Sequence, residues 1–476
     1  VDLRLLRTGR WLIGDLAAEL GQLRRTTYRM VRAIERAGIR IERHREGRCV
    51  YYRVQRGELD MSIGVFEGGV FQLASSYGWF VNSGAKDPHA PPARPFDIAQ
   101  QMRGLPVSGL VRAVRDTPSA YDDYLATPLS DPVWARWGFL TDDDRPSAAV
   151  LAINTWGDQT SGDALALAEQ WRRLGVNQKV VIAAGNHCVH EESATDPSFG
   201  ELPLANAAFP WREWYLRFFD KWLRGQGDGL DREANYSYFM LVENQWHTAD
   251  TWPPASVQWQ RWHLDSAGHA NTRMGDGRLQ PVPPTRSAVD RLRYDPQDPV
   301  PTRGGPVCCS GDARIRPGPA DQADVEARQD VLVYTSEPLA QDLRIAGPLK
   351  AHVTVSSSAL DTDLVARLVH VWPDGRATSI QEGALRLRYR EGIAHPRLLQ
   401  PDVPVTVDVD MRSIAYMLPK GHRLRLQLTS SSFPRLERNL NTGAPNNADE
   451  TRMVVATNRV HHGPQAAAYL MLPVLP

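Results

Sequence analysis

Cysteine, lysine and long apolar runs are scarce in this sequence. Its four cysteines in 476 residues cannot form a disulfide framework and match no zinc-binding spacing, so we expect a reducing, cytoplasmic environment and neither a metal ion nor a cofactor. Because no run of about 18 apolar residues exists and the chain does not start with an apolar signal segment, we expect no membrane span and no secretion. The apolar content of 42% and the charged content of 23% exclude a disordered chain and, at this length, predict two to four globular domains.

The charge of the chain is unevenly distributed, although its net charge is zero. Residues 1–56 contain 14 arginines, no lysine and six acidic residues, which gives this segment a net charge of +8 and the remainder −8. A basic segment joined to an acidic one is typical of a module that contacts nucleic acid. Arginine exceeds lysine by 50 to five over the whole chain, so part of this excess reflects a general preference for arginine.

Residues 1–57 have the pattern of a winged helix-turn-helix. Leu12, Leu16 and Leu20 recur at the spacing of one helix face. This first predicted helix comprises residues 12–20. A turn at residue 21, an arginine-rich helix at 24–38 and a hairpin with a basic tip at 39–54 follow.

Residues 25–39 resemble the "R-x-x-Y-R-x-I-x-x-L-x-x-A-G-I" helix of bacterial transcription regulators. The resemblance implies a DNA-binding module, with four residues at the groove and two on phosphates. The groove residues would be Arg24, Arg25, Thr27 and Tyr28, and the phosphate contacts Arg45 and Arg48. The alternative is a helical packing or dimerisation domain with a solvated arginine face.

The middle segment, residues 58–254, contains a strand, a helix and a second strand at the spacing of a parallel βαβ unit. The two strands are apolar throughout, which predicts burial on both faces of a sheet. Residues 148–154 and 179–184 form the strands, and 163–174 the helix. Asp158 and His187 follow the two strands at their carboxyl ends, where such sheets bind ligands. An Asp and then a His in this order are the last two members of an α/β-hydrolase triad, but any α/β fold can carry polar loops there.

Several motifs in this segment resemble those of the CocE/NonD and Xaa-Pro dipeptidyl-peptidase-like serine hydrolases. They are the P-x-x-Y-D-x-Y segment at 118–124, the strand ends 155–158 and 181–188, the R-F-F-D-x-W-L segment at 217–225 and the W-P-P at 252–254. Residues 65–140 resemble the helical cap of the family. The resemblance implies that Asp158 and His187 are the triad acid and base, although Thr155 replaces a glycine of the family motif.

The nucleophile elbow of that family, Gly-x-Ser-x-Gly, is missing from the middle segment, where the basic module takes the place of the first strands. Two partial matches are Ser62, followed by Gly64, and Ser76, followed by Gly78. Both are weak candidates, and Ser76 lies in a segment that resembles the cap. We therefore expect an incomplete α/β-hydrolase domain with impaired turnover, since binding and residual polar effects are all that remain without a nucleophile.

In residues 255–476, short segments of alternating apolar and polar residues are separated by turns rich in Gly, Pro and Asp. This pattern predicts an antiparallel β-sandwich. Residues 328–339, R-Q-D-V-L-V-Y-T-S-E-P-L, resemble the start of the jelly-roll domain of the same family. The whole chain is thus expected to be multidomain, α/β plus all-β.

Three functional hypotheses remain open from the sequence. The first is a hydrolase that acts on a small ester or amide substrate through Asp158 and His187. The second is a pseudoenzyme or DNA-binding regulator in which a winged helix is fused to a hydrolase relic. The third is a rearranged gene without selected activity. A homodimer is the assembly that we consider, and no membrane partner is expected.

Overall fold

A computed structural model describes residues 11–12, 41–46, 49–54, 65–131, 133–136 and 145–476 of the chain. Two compact units are distinguished by their internal contacts. The first comprises residues 1–61 and 131–145, and the second comprises residues 62–130 and 146–476. No helix among the described residues has the length and apolarity needed to cross a lipid bilayer.

The described part of the first unit contains a three-stranded antiparallel sheet of β1 (Trp11–Leu12), β2 (Ile41–Glu46) and β3 (Cys49–Val54), in the order β1-β3-β2. The hairpin predicted around residues 46–48 is confirmed by the pairing of Glu46 with Cys49. Leu12 was expected to begin a helix, and this was wrong: Trp11 and Leu12 pair with Tyr52 and Tyr51 in the sheet.

The helices predicted in this unit, and most of the predicted DNA contacts, lie outside the described residues. Those contacts are Arg24, Arg25, Thr27, Tyr28 and Arg48. The backbone of Arg45 lies in β2. The winged helix-turn-helix therefore stays a prediction from the sequence.

Apart from four short 3-10 helices, the remaining elements of the described chain are six α-helices and nineteen strands, of which only α4 belongs to the first unit. The helices are α1 (Leu73–Ser83), α2 (Ile98–Met102), α3 (Ala120–Ala126), α4 (Val133–Arg136), α5 (Ser161–Arg173) and α6 (Trp211–Arg224). The strands up to the middle of the chain are β4 (Phe66–Glu67), β5 (Val70–Phe71), β6 (Val150–Thr155), β7 (Gln178–Ala183), β8 (Ser198–Phe199), β9 (Leu202–Pro203), β10 (Tyr236–Met240) and β11 (Gln245–Ala249). The later strands are β12 (Gln258–Asp265), β13 (Arg278–Gln280), β14 (Ala288–Tyr294), β15 (Leu332–Thr335), β16 (Leu343–Ser357), β17 (Asp363–Val371), β18 (Ala377–Arg386), β19 (Val405–Leu418), β20 (Arg423–Thr429), β21 (Ala456–His462) and β22 (Tyr469–Leu475).

A four-stranded sheet in the order β11-β10-β7-β6 forms the α/β part of the second unit. The predicted βαβ unit is confirmed, because β6 and β7 pair in parallel, with Asn154 opposite Ile182, and α5 connects them. The expectation that β6 is buried on both faces was wrong: its first five residues are only half-buried. Within the described residues β6 is the last strand of the sheet, so a neighbouring strand covers it on one side only.

An eleven-stranded sheet system, β12 to β22, confirms the β-rich character expected for the C-terminal part. Its longest pair, β16 with β19, runs antiparallel over most of both strands. Every residue of β17 and β18 is buried. These strands therefore lie inside the unit, where their polar side chains must find partners.

The α/β sheet and the β-rich part share one continuous core. The backbone N–H of Leu241, directly after β10, donates to the Ala415 carbonyl at 3.0 Å, and the Leu241 carbonyl accepts from Met417 at 3.1 Å. The indole N–H of Trp252 donates to Ser413 Oγ at 3.2 Å. A domain boundary at residue 255, suggested by the change in sequence pattern, is crossed by apolar packing and by hydrogen bonds.

A buried ionic network joins the segment at β4 to the β-rich part. Arg435 is fully buried and donates to Glu67 Oε2 and to Glu382 Oε1, each at 2.6 Å. Arg412 also donates to Glu67 Oε2, at 2.6 Å, and Arg367 donates to Glu382. Because each carboxylate has two cationic partners, the desolvation of both carboxylates is compensated.

Candidate active site

Two loops at the carboxyl ends of β6 and β7 build the candidate site. The Gly157 N–H donates to the Gly185 carbonyl at 2.9 Å, and Thr155 Oγ1 donates to the Asn186 carbonyl at 2.9 Å. A Cβ at residue 157 would lie 2.6 Å from the Gly185 oxygen, so the loops can approach this closely because glycine occupies that position. The two hydrogen bonds fix the loops that carry the predicted acid and base.

The carboxylate of Asp158 and the imidazole of His187 meet between these loops. The Nδ1 atom of His187 lies 2.6 Å from Asp158 Oδ2. The second oxygen, Oδ1, accepts hydrogen bonds from the backbone N–H and the hydroxyl of Thr160, each at 2.8 Å. The predicted acid–base pair is thus assembled, and three donors orient the Asp158 carboxylate.

The surroundings keep Asp158 ionised. Burial raises the pKa of this carboxyl, but the hydrogen bonds from His187 and Thr160 outweigh burial and leave its pKa below the ordinary value. The pKa of His187 is raised, because its hydrogen bond to Asp158 stabilises the imidazolium more than partial burial disfavours it. A carboxylate that stays ionised beside an imidazole that accepts a proton is the arrangement of a general base with its orienting acid.

The His187 side chain is 35% exposed, so its ring remains accessible from solvent. Since Nδ1 is taken by Asp158, Nε2 is the nitrogen that can accept a proton from a nucleophile. Among the described residues no serine hydroxyl forms a hydrogen bond with this ring. Ser76 lies in α1, and its buried Oγ has no hydrogen-bond partner among those residues. Ser62 lies outside them, so neither candidate is placed against the imidazole.

Two thiols that the sequence did not single out lie beside His187. One ring nitrogen of His187 and the sulfurs of Cys308 and Cys309 all lie within 4.8 Å of one another. Burial, and then the neighbouring Cys309 thiol, hold the pKa of Cys308 well above its ordinary value. The adjacent cysteines were visible in the sequence, but 120 residues separate them from His187, and spacing alone could not bring them to the site.

The segment that carries the thiols packs against α1. The backbone N–H of Cys308 donates to Ser75 Oγ at 3.1 Å. A Cβ at Gly78 would lie 2.1 Å from the Cys309 carbonyl oxygen, so only a glycine allows this contact. The helix thus positions Cys308 and Cys309 beside the end of the α/β sheet.

Comparisons with known proteins match most of the chain. Residues 228–471 match the X-Pro dipeptidyl-peptidase C-terminal non-catalytic domain. The chain is 31% identical over 384 residues to cocaine esterase of Rhodococcus sp. (strain MB1 Bresler), which covers 80% of the chain and 65% of that protein. It is 27% identical over 353 residues to a putative serine esterase of Mycobacterium tuberculosis, covering 67% of the chain and 51% of that protein. The chain thus spans about half to two thirds of these curated relatives.

Solved structures share the fold. An aminopeptidase from the archaeon Thaumarchaeota superposes with a TM-score of 0.74 at 24% identity, covering 87% of the chain and 70% of that structure. An α-amino acid ester hydrolase superposes with a TM-score of 0.66 at 21% identity, covering 86% and 70%. These likenesses confirm the fold expected from the resemblance, an α/β-hydrolase architecture with a β-rich C-terminal part. They do not test the winged helix predicted for residues 1–57.

Proposed function

This chain belongs to the hydrolase family that carries the X-Pro dipeptidyl-peptidase C-terminal domain, and we propose that its Asp158–His187 pair acts in ester or amide hydrolysis. The observation that carries the proposal is the 2.6 Å hydrogen bond between Asp158 Oδ2 and His187 Nδ1. It leaves Nε2 as the proton acceptor at the carboxyl ends of the parallel strands β6 and β7, where α/β proteins place their chemistry. Relatives named as esterases support an ester as the substrate class.

The chemistry would proceed by acyl transfer. His187 Nε2 takes the proton of a serine hydroxyl as the oxygen attacks the carbonyl carbon, and the resulting imidazolium protonates the leaving alcohol or amine. Water then attacks the acyl-enzyme by the reverse proton path, which releases the acid and restores the serine. Asp158 stays ionised throughout, holds the tautomer with a proton on Nδ1 and stabilises the imidazolium.

No serine hydroxyl among the described residues forms a hydrogen bond with His187, so we infer that the serine in this scheme lies outside them, within this chain or in another. Ser62 is the candidate of that kind within the chain. Without a serine at Nε2, the pair could bind and polarise a substrate but could not form an acyl-enzyme. The alternative is the impaired turnover expected from the missing nucleophile elbow. The following experiment distinguishes it from acyl transfer by a serine.

A fluorophosphonate probe tests the proposal, because it reacts covalently with a serine that an imidazole activates. We expect the folded protein to be labelled on one serine, which peptide mapping identifies, and labelling to fall at least about 100-fold in His187→Gln. Ser76→Ala, whose buried hydroxyl forms no hydrogen bond with a described residue, is the matched control and should keep its labelling. A folded protein that neither takes the label nor hydrolyses p-nitrophenyl acetate would refute the proposal.

A second function, DNA contact by the first unit, is supported by one observation. The sheet of β1, β2 and β3 has the hairpin with an additional short strand that a winged helix requires. Its tip lies in the segment with a net charge of +8. We propose that this unit binds the DNA backbone, with Arg24, Arg25, Thr27 and Tyr28 at the groove and Arg45 and Arg48 on phosphates.

A gel shift at two salt concentrations checks this second function. We expect affinity for duplex DNA to fall steeply with salt, and Arg24→Ala combined with Arg25→Ala to reduce both the affinity and the salt dependence. Arg94→Ala combined with Arg112→Ala, two exposed arginines of the second unit, should leave binding unchanged. Binding that does not respond to salt, or that is lost equally in both pairs, would contradict it.

A further inference from the structure

We propose that His187, Cys308 and Cys309 bind a zinc ion, with a fourth coordination position left open. One ring nitrogen and two sulfurs within 4.8 Å of one another are the ligand set that zinc prefers. In a tetrahedral site with Zn–S bonds of about 2.3 Å, the two sulfurs lie about 3.8 Å apart. The two sulfurs, which lie within 4.8 Å of each other, therefore need to approach by at most about 1 Å to share one ion.

The histidine is already oriented as a metal ligand. Asp158 holds Nδ1 at 2.6 Å and is itself held by Thr160. This leaves Nε2 with its lone pair directed away from the carboxylate. A carboxylate on the far nitrogen is the usual support of a zinc-bound histidine, because it fixes the ring and makes it a stronger donor.

Two independent contacts hold the backbone of the segment that carries the thiols. Ser75 Oγ accepts from the Cys308 N–H, and Gly78 of α1 lies directly against the Cys309 carbonyl. Cys309 has a φ of 53°, in the left-handed region that residues other than glycine rarely adopt. Such a conformation persists where surrounding contacts enforce it, and it is frequent at ligand sites. The adjacent cysteines are thus arranged before an ion arrives.

An ion could reach this cluster from solvent. Cys309 is exposed, and Cys308 and His187 are partly exposed. Binding would release two thiol protons and form two Zn–S bonds and one Zn–N bond, with no change in oxidation state. Three protein ligands with an open fourth position are typical of zinc sites that also bind water or a substrate atom.

Cobalt(II) is a suitable probe, because it adopts zinc geometry and its thiolate and tetrahedral absorption bands report the ligands directly. The full chain would be reduced, freed of metal with a chelator and titrated with Co²⁺, and Zn²⁺ would then be added to displace it. We expect one equivalent of Co²⁺ to produce thiolate charge-transfer bands, and Zn²⁺ to abolish them. The affinity should fall at least tenfold in His187→Gln, in Cys308→Ser and in Cys309→Ser.

Two further variants distinguish a site at this cluster from metal binding by a neighbouring thiol. Cys188→Ser removes an exposed thiol next to His187 that is not in the cluster, and its bands and affinity should equal those of the unchanged protein. Asp158→Asn retains all three ligands, so its bands should persist with an affinity about 10- to 100-fold weaker, as expected for a positioning residue. Circular dichroism verifies that each variant is folded.

The proposal is overturned if the folded, reduced protein gives no thiolate-to-cobalt bands, or if the bands survive the Cys308→Ser and Cys309→Ser changes made together. Both readouts are independent of turnover, so they can fail while the hydrolase proposal stands. If ester hydrolysis is present, Zn²⁺ should inhibit it in the unchanged protein, because the ion takes Nε2. This inhibition should weaken in Cys309→Ser.

Discussion

Asp158→Asn is expected to lower the kcat of ester hydrolysis by about 10⁴-fold while the fold is retained. The carboxylate accepts a hydrogen bond from His187 Nδ1 at 2.6 Å, whereas the amide of asparagine can present an N–H to the same atom. The imidazole would then carry its proton on Nε2, where it can no longer accept one from a nucleophile. Steady-state kinetics with p-nitrophenyl esters measure the change.

The pH profile of the same variant gives a second, independent readout. His187 must be neutral to act as a base, and Asp158 raises its pKa. Activity of the unchanged protein should therefore increase with pH up to a midpoint above the ordinary histidine value. In Asp158→Asn the midpoint of the residual activity should move to lower pH.

Asp220→Asn is the matched control for this prediction. Asp220 forms a surface ion pair with Arg224 within α6, and its loss should leave kcat and the pH profile unchanged. An Asp158→Asn protein with near-normal kcat, or with an unmoved midpoint, would show that Asp158 does not orient the base.

Arg435→Met is expected to lower the free energy of unfolding by about 3–5 kcal/mol. Arg435 has no exposed surface and donates to both Glu67 and Glu382. Methionine fills a similar volume but leaves two buried carboxylates with one cationic partner fewer each. Chemical unfolding followed by circular dichroism measures the loss.

Arg94→Met provides the comparison for this stability prediction. Arg94 pairs with Asp116 at the surface, where both side chains are more than half exposed, so its removal should cost at most about 1 kcal/mol. The double variant Glu67→Gln with Arg435→Met should cost less than the sum of the single changes, because the two side chains interact directly. An Arg435→Met protein as stable as Arg94→Met would contradict the role of the network.

The stabilisation by Glu67 should also depend on pH. Burial raises the pKa of Glu67, but Arg412 and Arg435 more than offset burial and hold it at about 2, below the ordinary value of 4.5. A lowered folded-state pKa stabilises the protein fully above the unfolded-state value. This contribution is lost as the pH falls from about 4.5 towards 2.

The sequence predicted the parts of the site that depend on local pattern. The proximity of Asp158 and His187 was predictable because each follows an apolar strand at its carboxyl end, and parallel strands bring such ends together. Their roles as acid and base were implied by the family resemblance and stay a prediction. Cys308 and Cys309 were missed because their approach depends on the packing of α1 against a distant loop. The periodicity of apolar residues along the chain gives no information about such a long-range contact.

The fold shows the same division between local and non-local information. The βαβ unit and the alternating C-terminal strands have clear periods of their own. The half-buried state of β6 and the pairing of Leu12 were not foreseen, because both depend on which strands lie beside them. The Glu67–Arg435 contact joins residues 368 positions apart in the chain, and composition showed only that arginine is abundant.

The backbone exchange between Leu241 and the strand that contains Ala415 and Met417 constrains how this architecture can be recombined. In a chimera joined near residue 255, Leu241 would lose the Ala415 carbonyl and the Met417 N–H as partners, and Trp252 would lose Ser413. The β-rich half of the chimera would have to provide the same backbone hydrogen-bond partners for Leu241 and the same apolar surface for packing. The C-terminal half can therefore be exchanged between related proteins only together with β10 and the segment up to Trp252.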